Sequence, residues 1–173
     1  MDLAGSEYLY TLSLVAITFT AVSVLVMLMR HSLGGRPSNF DIYLLTAYIS
    51  FGFAHTINGL LPALIAFVDF PLHIRWAISS FLAALLVVWA LGHSVYLRKQ
   101  ASQSPMSYSV VGGFLIHALM AVVLLVNVAL WQDAFPYVAA VTMSLGTTMW
   151  LFVRRIASLF GDRPGDDWDP KRG

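Results

Sequence analysis

The chain has 173 residues, of which 58% are hydrophobic and 11% charged, with a formal net charge of +1 and a mean hydropathy of +0.75. A soluble domain of this size exposes too much surface to cover with so few charges, so the apolar excess has to face lipid. The absence of cysteine excludes disulfides, iron–sulfur clusters and thiolate metal sites, and the charge distribution offers no basic field for nucleic acid.

In chain order, Met1 to Glu7 carry Asp2 and Glu7 but no basic residue, so the first apolar segment reads as retained and not as a cleaved signal. Stretches without a charged residue then run over 8–29, 42–68, 76–97, 106–132 and 134–153. A hydrocarbon core about 30 Å thick is crossed by about 20 helical residues, so each stretch suffices. The predicted spans are 8–29, 42–68, 76–97, 108–131 and 134–153. The links are short and polar: the glycine-rich Arg30 to Asn39, the proline-bearing Asp69 to Arg75, the basic Arg98 to Pro105, and a tight Gln132–Asp133 turn. In the last of these Asp133 is placed to cap the fifth helix and Pro136 is tolerated in its first turn. Short links favour an up-down antiparallel bundle. The expected fold is therefore all-α: a polytopic transmembrane bundle of five helices forming one domain over 1–160, followed by a disordered cytoplasmic tail over 161–173.

Orientation follows from the basic residues. With the N-terminus outside, Arg30, Arg36, Arg98, Lys99, Arg154, Arg155, Arg163, Lys171 and Arg172 fall on the cytoplasmic side, and Arg75 alone falls on the other. That asymmetry puts the C-terminus in the cytoplasm. Tyr8, Tyr10, Trp76, Trp131 and Tyr137 are then expected as an outer aromatic belt, with Tyr43, Tyr96 and Tyr108 as the inner one.

The run from Ser6 to Ser13, then Gly34-Gly35, Phe40-Asp41 and Gly52 to Pro62, resembles a group of small, functionally uncharacterised multi-pass bacterial membrane proteins. The resemblance covers the first half of the chain. It implies a bacterial inner membrane and carries no activity or catalytic residue with it.

Polar residues within the spans are the natural place to look for function, because burying them in hydrocarbon costs free energy. No Asp, Glu, Lys or Arg lies in mid-span, which argues against a proton-coupled pump. His55, His93 and His117 do lie within spans. At 1.5 Å per residue they sit at about 20, 5 and 13 Å from the inner ends, so neighbouring histidines differ in height by roughly 7–8 Å. One reading makes two of them the axial ligands of a haem b; the other gives each an interhelical hydrogen bond. No metal ligand set is indicated, since no second histidine or carboxylate stands at ligand spacing within a helix.

On the second span, Gly52, His55, Asn58, Gly59 and Pro62 fall on one side of the helix, within about 60° of His55. This small, polar, proline-broken face is either the central packing seam or the lining of a hydrated cavity, with Pro62 freeing a carbonyl near the outer end. Gly113, His117 and Ala121 repeat every fourth residue and mark a second contact face. The hydroxyls of Thr142, Ser144, Thr147 and Thr148, like those in the first span, are expected to bond their own backbone.

No nucleophile elbow, phosphate loop or calcium loop occurs. The expectation is thus a non-enzymatic accessory, scaffolding or sensor subunit whose partners are the bilayer and either a second copy or a membrane complex, with the Trp168 region as a docking segment. Its rivals are a haem b-binding redox protein using His55, His93 or His117, and an oligomeric channel or small-solute permease built on the stripe of the second span.

Overall fold

The computed structural model describes residues 5–34, 38–101 and 106–160. They form α1 (Ser6–Gly34), α2 (Asn39–Ile65), α3 (Leu72–Ala101), α4 (Tyr108–Val126), a π-helical turn (Asn127–Trp131) and α5 (Ala134–Phe160). Each of the five helices, α4 together with its π turn, is long and apolar enough to cross a membrane. The tail from 161 to 173, with Trp168, lies outside the described residues.

The helix ends follow from local chemistry. Ser38 caps α2: its hydroxyl accepts from the Asp41 N–H at 3.1 Å, and the Asp41 carboxylate accepts from the Ser38 N–H at 3.1 Å, a reciprocal capping box. Asp133 caps α5, as its position suggests, by accepting from the Phe135 N–H at 2.9 Å. The link between α2 and α3 is tied down by Arg75, whose Nε donates to the Phe70 carbonyl at 2.7 Å. Between α4 and α5 the chain does not simply stop being helical. It widens into the π turn, closed by the Gln132 N–H on the Asn127 carbonyl at 2.7 Å, and Gln132 then turns left-handed at φ 51°.

Asn127 holds that turn against α3. Its Nδ2 donates to Ser80 Oγ at 2.8 Å and to the Asp133 carbonyl at 2.9 Å, and its Oδ1 accepts from the Asp133 N–H at 3.1 Å. A fully buried amide thus has its needs met where a helix end would otherwise leave carbonyls unpaired.

Consecutive helices pack in order from α1 to α5, and α5 also touches α1, α2 and α3, so it alone of the described helices meets all the others. Antiparallel packing sets the start of α2 beside the ends of α3 and α5: the guanidinium carbons of Arg98 and Arg155 lie 4.7 and 5.1 Å from the centroid of the Phe40 ring. The apolar core has two main parts. One gathers Leu9, Leu61, Trp76, Leu124, Tyr137 and Val141 towards the end where α1 begins. The other gathers Phe19, Tyr43, Leu44, Tyr48 and Phe152 towards the opposite end. The outward surface is apolar, with Leu14, Ile17, Leu25, Leu115, Leu119 and Val122 all exposed.

Three of the expected belt residues are elsewhere. Trp76 and Tyr137 are buried in the core, with ring centroids 5.6 Å apart. Tyr137 is drawn inward by a hydrogen-bond partner described below, and Tyr43 is buried at the other end.

Candidate functional site

The stripe on α2 divides between two neighbours. Gly52, His55, Asn58, Gly59 and Pro62 are all buried. The glycines face α1: a Cβ on Gly52 would stand 1.7 Å from Thr20 Oγ1, and one on Gly59 would stand 2.0 Å from Ser13 Oγ and 2.9 Å from the Leu9 carbonyl. Only glycine lets the two backbones approach this closely. Ser13 also donates across the contact to the Thr56 carbonyl at 3.2 Å.

His55 and Asn58 look the other way, towards α4 and α5. Pro62 has no N–H, so the carbonyl four residues before it, that of Asn58, has no intrahelical donor. The hydroxyl of Tyr137 on α5 supplies one. This accounts for the inward position of Tyr137 and seals the carbonyl that the sequence pattern marks as freed.

One turn further along, the structure brings His55 and His117 together. Their ring centroids lie 6.1 Å apart, and Phe51 leans on the His117 ring at 4.7 Å. The expected height difference is closed because that reckoning starts every helix in one plane without tilt, whereas packing sets the stagger. Between the rings is Thr148 of α5, whose Oγ1 lies 3.0 Å from His55 Nε2 and 3.1 Å from His117 Nε2. His93 is not part of the cluster; it is half-buried on α3 with its ring parallel to that of Trp89 at 5.4 Å.

For neutral rings the proton positions follow from the partners. His117 Nδ1 lies 2.8 Å from the Gly113 carbonyl, which only accepts, so Nδ1 carries the proton and Nε2 offers a lone pair. Thr148 then donates to His117, and its oxygen accepts from His55 Nε2–H. His55 Nδ1 is left as an acceptor. The arrangement is a directed chain, His55 to Thr148 to His117 to Gly113, linking three helices.

No family model matches the chain, and no curated protein or solved structure is significantly similar to it.

The haem reading nominates two residues that the fold does place together, yet both of their Nε2 atoms meet the Thr148 hydroxyl. Among the described residues no three His, Asp or Glu side chains converge as metal ligands do. Thr148 is the member that the sequence reading misses. Its hydroxyl stays within 3.1 Å of the Ser144 carbonyl, the backbone partner expected of it, but its bridging role is not encoded in its own helix. The one available signal is spacing: Tyr137, Val141, Ser144 and Thr148 follow at intervals of four, three and four, and all are buried.

Proposed function

We propose that the chain is a multi-pass protein of a bacterial inner membrane, N-terminus outside and C-terminus cytoplasmic, acting as a non-enzymatic accessory, scaffolding or sensor subunit. The observation that carries this reading is the enclosure of its polar cluster. His55, Asn58, His117 and Thr148 are each 1–2% exposed and sit where three helices meet. Catalysis or transport would need these groups to reach a substrate, whereas here they hold helices together. The surface left for partners is the apolar exterior, widest on α4, where Gly113, His117, Ala121 and Leu124 face inward and most other side chains face out.

The orientation is supported by the nine basic residues assigned to one side against Arg75 on the other. Because the chain has no native cysteine, single substitutions test it directly. Asp69→Cys should react with an impermeant maleimide in intact cells, and Gln100→Cys only after lysis. The accessory role is tested by cross-linking in native membranes: discrete adducts, homomeric or heteromeric, are expected. A protein that stays monomeric, and whose tail deletion changes no cellular phenotype, would remove the proposal.

A haem b reading finds support in the meeting of His55 and His117. It demands both Nε2 lone pairs for iron, and hence displacement of Thr148 from between them. A Soret band in protein made with ample haem, lost in His55→Ala, would establish it in place of the reading above.

A further inference from the structure

Among the described residues, three buried side-chain atoms in one region find no hydrogen-bond partner in the protein: His55 Nδ1, Asn58 Oδ1 and Ser144 Oγ. Their residues are each 1% exposed. Leaving such atoms unpaired costs free energy, so buried polar groups are as a rule satisfied.

The register brings them to the same level. Tyr48 of α2 meets Phe152 of α5, with ring centroids 5.0 Å apart, and His55 meets Thr148 at 3.0 Å. The Asn58 carbonyl meets the Tyr137 hydroxyl. These pairs run in opposite directions along the two helices. Asn58, one turn beyond His55, is therefore opposite Ser144, one turn before Thr148.

Ser144 also departs from its neighbours. Thr142 and Thr147 donate to the carbonyl four residues back, at 2.7 and 2.8 Å, as do Thr20 and Ser23 on α1. The Ser144 hydroxyl does not, and so keeps a proton to donate.

We propose that His55 Nδ1, Asn58 Oδ1 and Ser144 Oγ form a closed binding site for one water molecule between α2 and α5. The match is by donor and acceptor. Water donates twice, to the His55 Nδ1 lone pair and to Asn58 Oδ1, and accepts once, from the Ser144 hydroxyl. Two to four polar partners are what a buried water requires. The water extends the existing chain to water, His55, Thr148, His117 and Gly113. That chain ends on a backbone carbonyl which cannot pass a proton on, so the site is structural and not a conduit. The inference does not depend on the accessory role proposed above.

The test is solid-state NMR of full-length protein with 15N-labelled histidine in lipid bilayers, with His117→Asn used to assign the two rings. Magnetisation transferred from water should reach the unprotonated His55 Nδ1, with much less reaching His117 Nδ1. Asn58→Leu should abolish the transfer to His55. Ser144→Ala, a change of one atom that leaves the packing intact, should weaken it and keeps the question decidable if Asn58→Leu does not fold. Absence of transfer in the wild-type protein would overturn the site, as would equal transfer in Ser144→Ala. A co-purifying small polar compound, released on denaturation and found by mass spectrometry, would replace water as the occupant and equally overturn it.

Discussion

The two faces of α2 solve the same problem by different means. Towards α1, Gly52 and Gly59 give way so that Thr20 and Ser13 can nest against the helix, and specificity comes from shape. Towards α4 and α5, His55 donates to the Thr148 hydroxyl and the Asn58 carbonyl accepts from Tyr137, and specificity comes from polar pairing. In lipid no hydrophobic force favours one helix contact over another, so close packing and hydrogen bonds are what remain to choose partners. Shape tolerates no added atoms, while polar pairing tolerates change only if both partners are removed together. The two faces should therefore fail differently.

The largest effect is expected at Gly59. A side chain there meets the Leu9 carbonyl at 2.9 Å as well as Ser13 Oγ, and backbone does not rotate away. Gly59→Val should cost about 3 kcal/mol or prevent folding, at the upper end of overpacking effects. Steric-trap unfolding in bicelles measures it. Gly52→Ala meets the Thr20 side chain first, so it should cost less and be largely restored by Thr20→Gly. Equal costs at the two glycines would contradict the distinction between a backbone and a side-chain obstacle.

On the polar face, Thr148→Val keeps the shape and removes the bridge. It leaves His55 Nε2–H and His117 Nε2 facing a methyl group, at a cost of about 1–2 kcal/mol. Thr148→Ser keeps the hydroxyl and loses one methyl, worth less than about 1 kcal/mol. If the two variants unfold at the same point, the bridge contributes nothing and the contact is one of shape after all.

The legibility of the two faces in the sequence differs for the same reason. Five helices follow from charge-free stretches, because crossing a hydrocarbon core imposes a length that composition alone reveals. The structure has them: α1, α3 and α5 run longer than their uncharged stretches, α2 is shifted three residues towards the N-terminus of its own, and α4 with its π turn covers 108–131. That Gly52, His55, Asn58, Gly59 and Pro62 share one half of α2 also follows, since helical periodicity is local. What cannot be read is which neighbour each meets. Gly52 and Gly59 go to α1, His55 and Asn58 to α4 and α5, a division made by tertiary packing over a few tens of degrees of helix rotation. Thr148 and Tyr137 are hidden on the same ground: a threonine bonding its own backbone looks identical from sequence to one that also bridges two histidines. Tyr137, near a helix start, reads as an interfacial aromatic until the carbonyl stranded by Pro62 is found 79 residues away in sequence.

That link between Pro62 and Tyr137 gives a smaller but more specific prediction. Tyr137→Phe removes the donor to the Asn58 carbonyl and should cost about 1 kcal/mol. In a Pro62→Ala background the helix regains an N–H for the same carbonyl, so most of the Tyr137→Phe cost should vanish. The double-mutant cycle isolates that coupling from the packing of the ring. Additive costs would mean that the tyrosine is held by its contact with Trp76 and not by the carbonyl.

The smallest effect should come from another glycine. Gly146 lies on α5 between Ser144 and Thr148, but on the outward side, and a Cβ there meets nothing within 4 Å. Gly146→Ala should change stability by no more than about 0.5 kcal/mol, as is usual for exposed positions, with better helix propensity favouring the alanine. Set against Gly59→Val and Gly52→Ala, it separates what glycine contributes as a residue from what the neighbouring helix demands. A large loss at Gly146 would show that the exterior of α5 is covered by a partner in the membrane. It would then locate the docking surface of an accessory subunit on α5, rather than on the broad apolar face of α4.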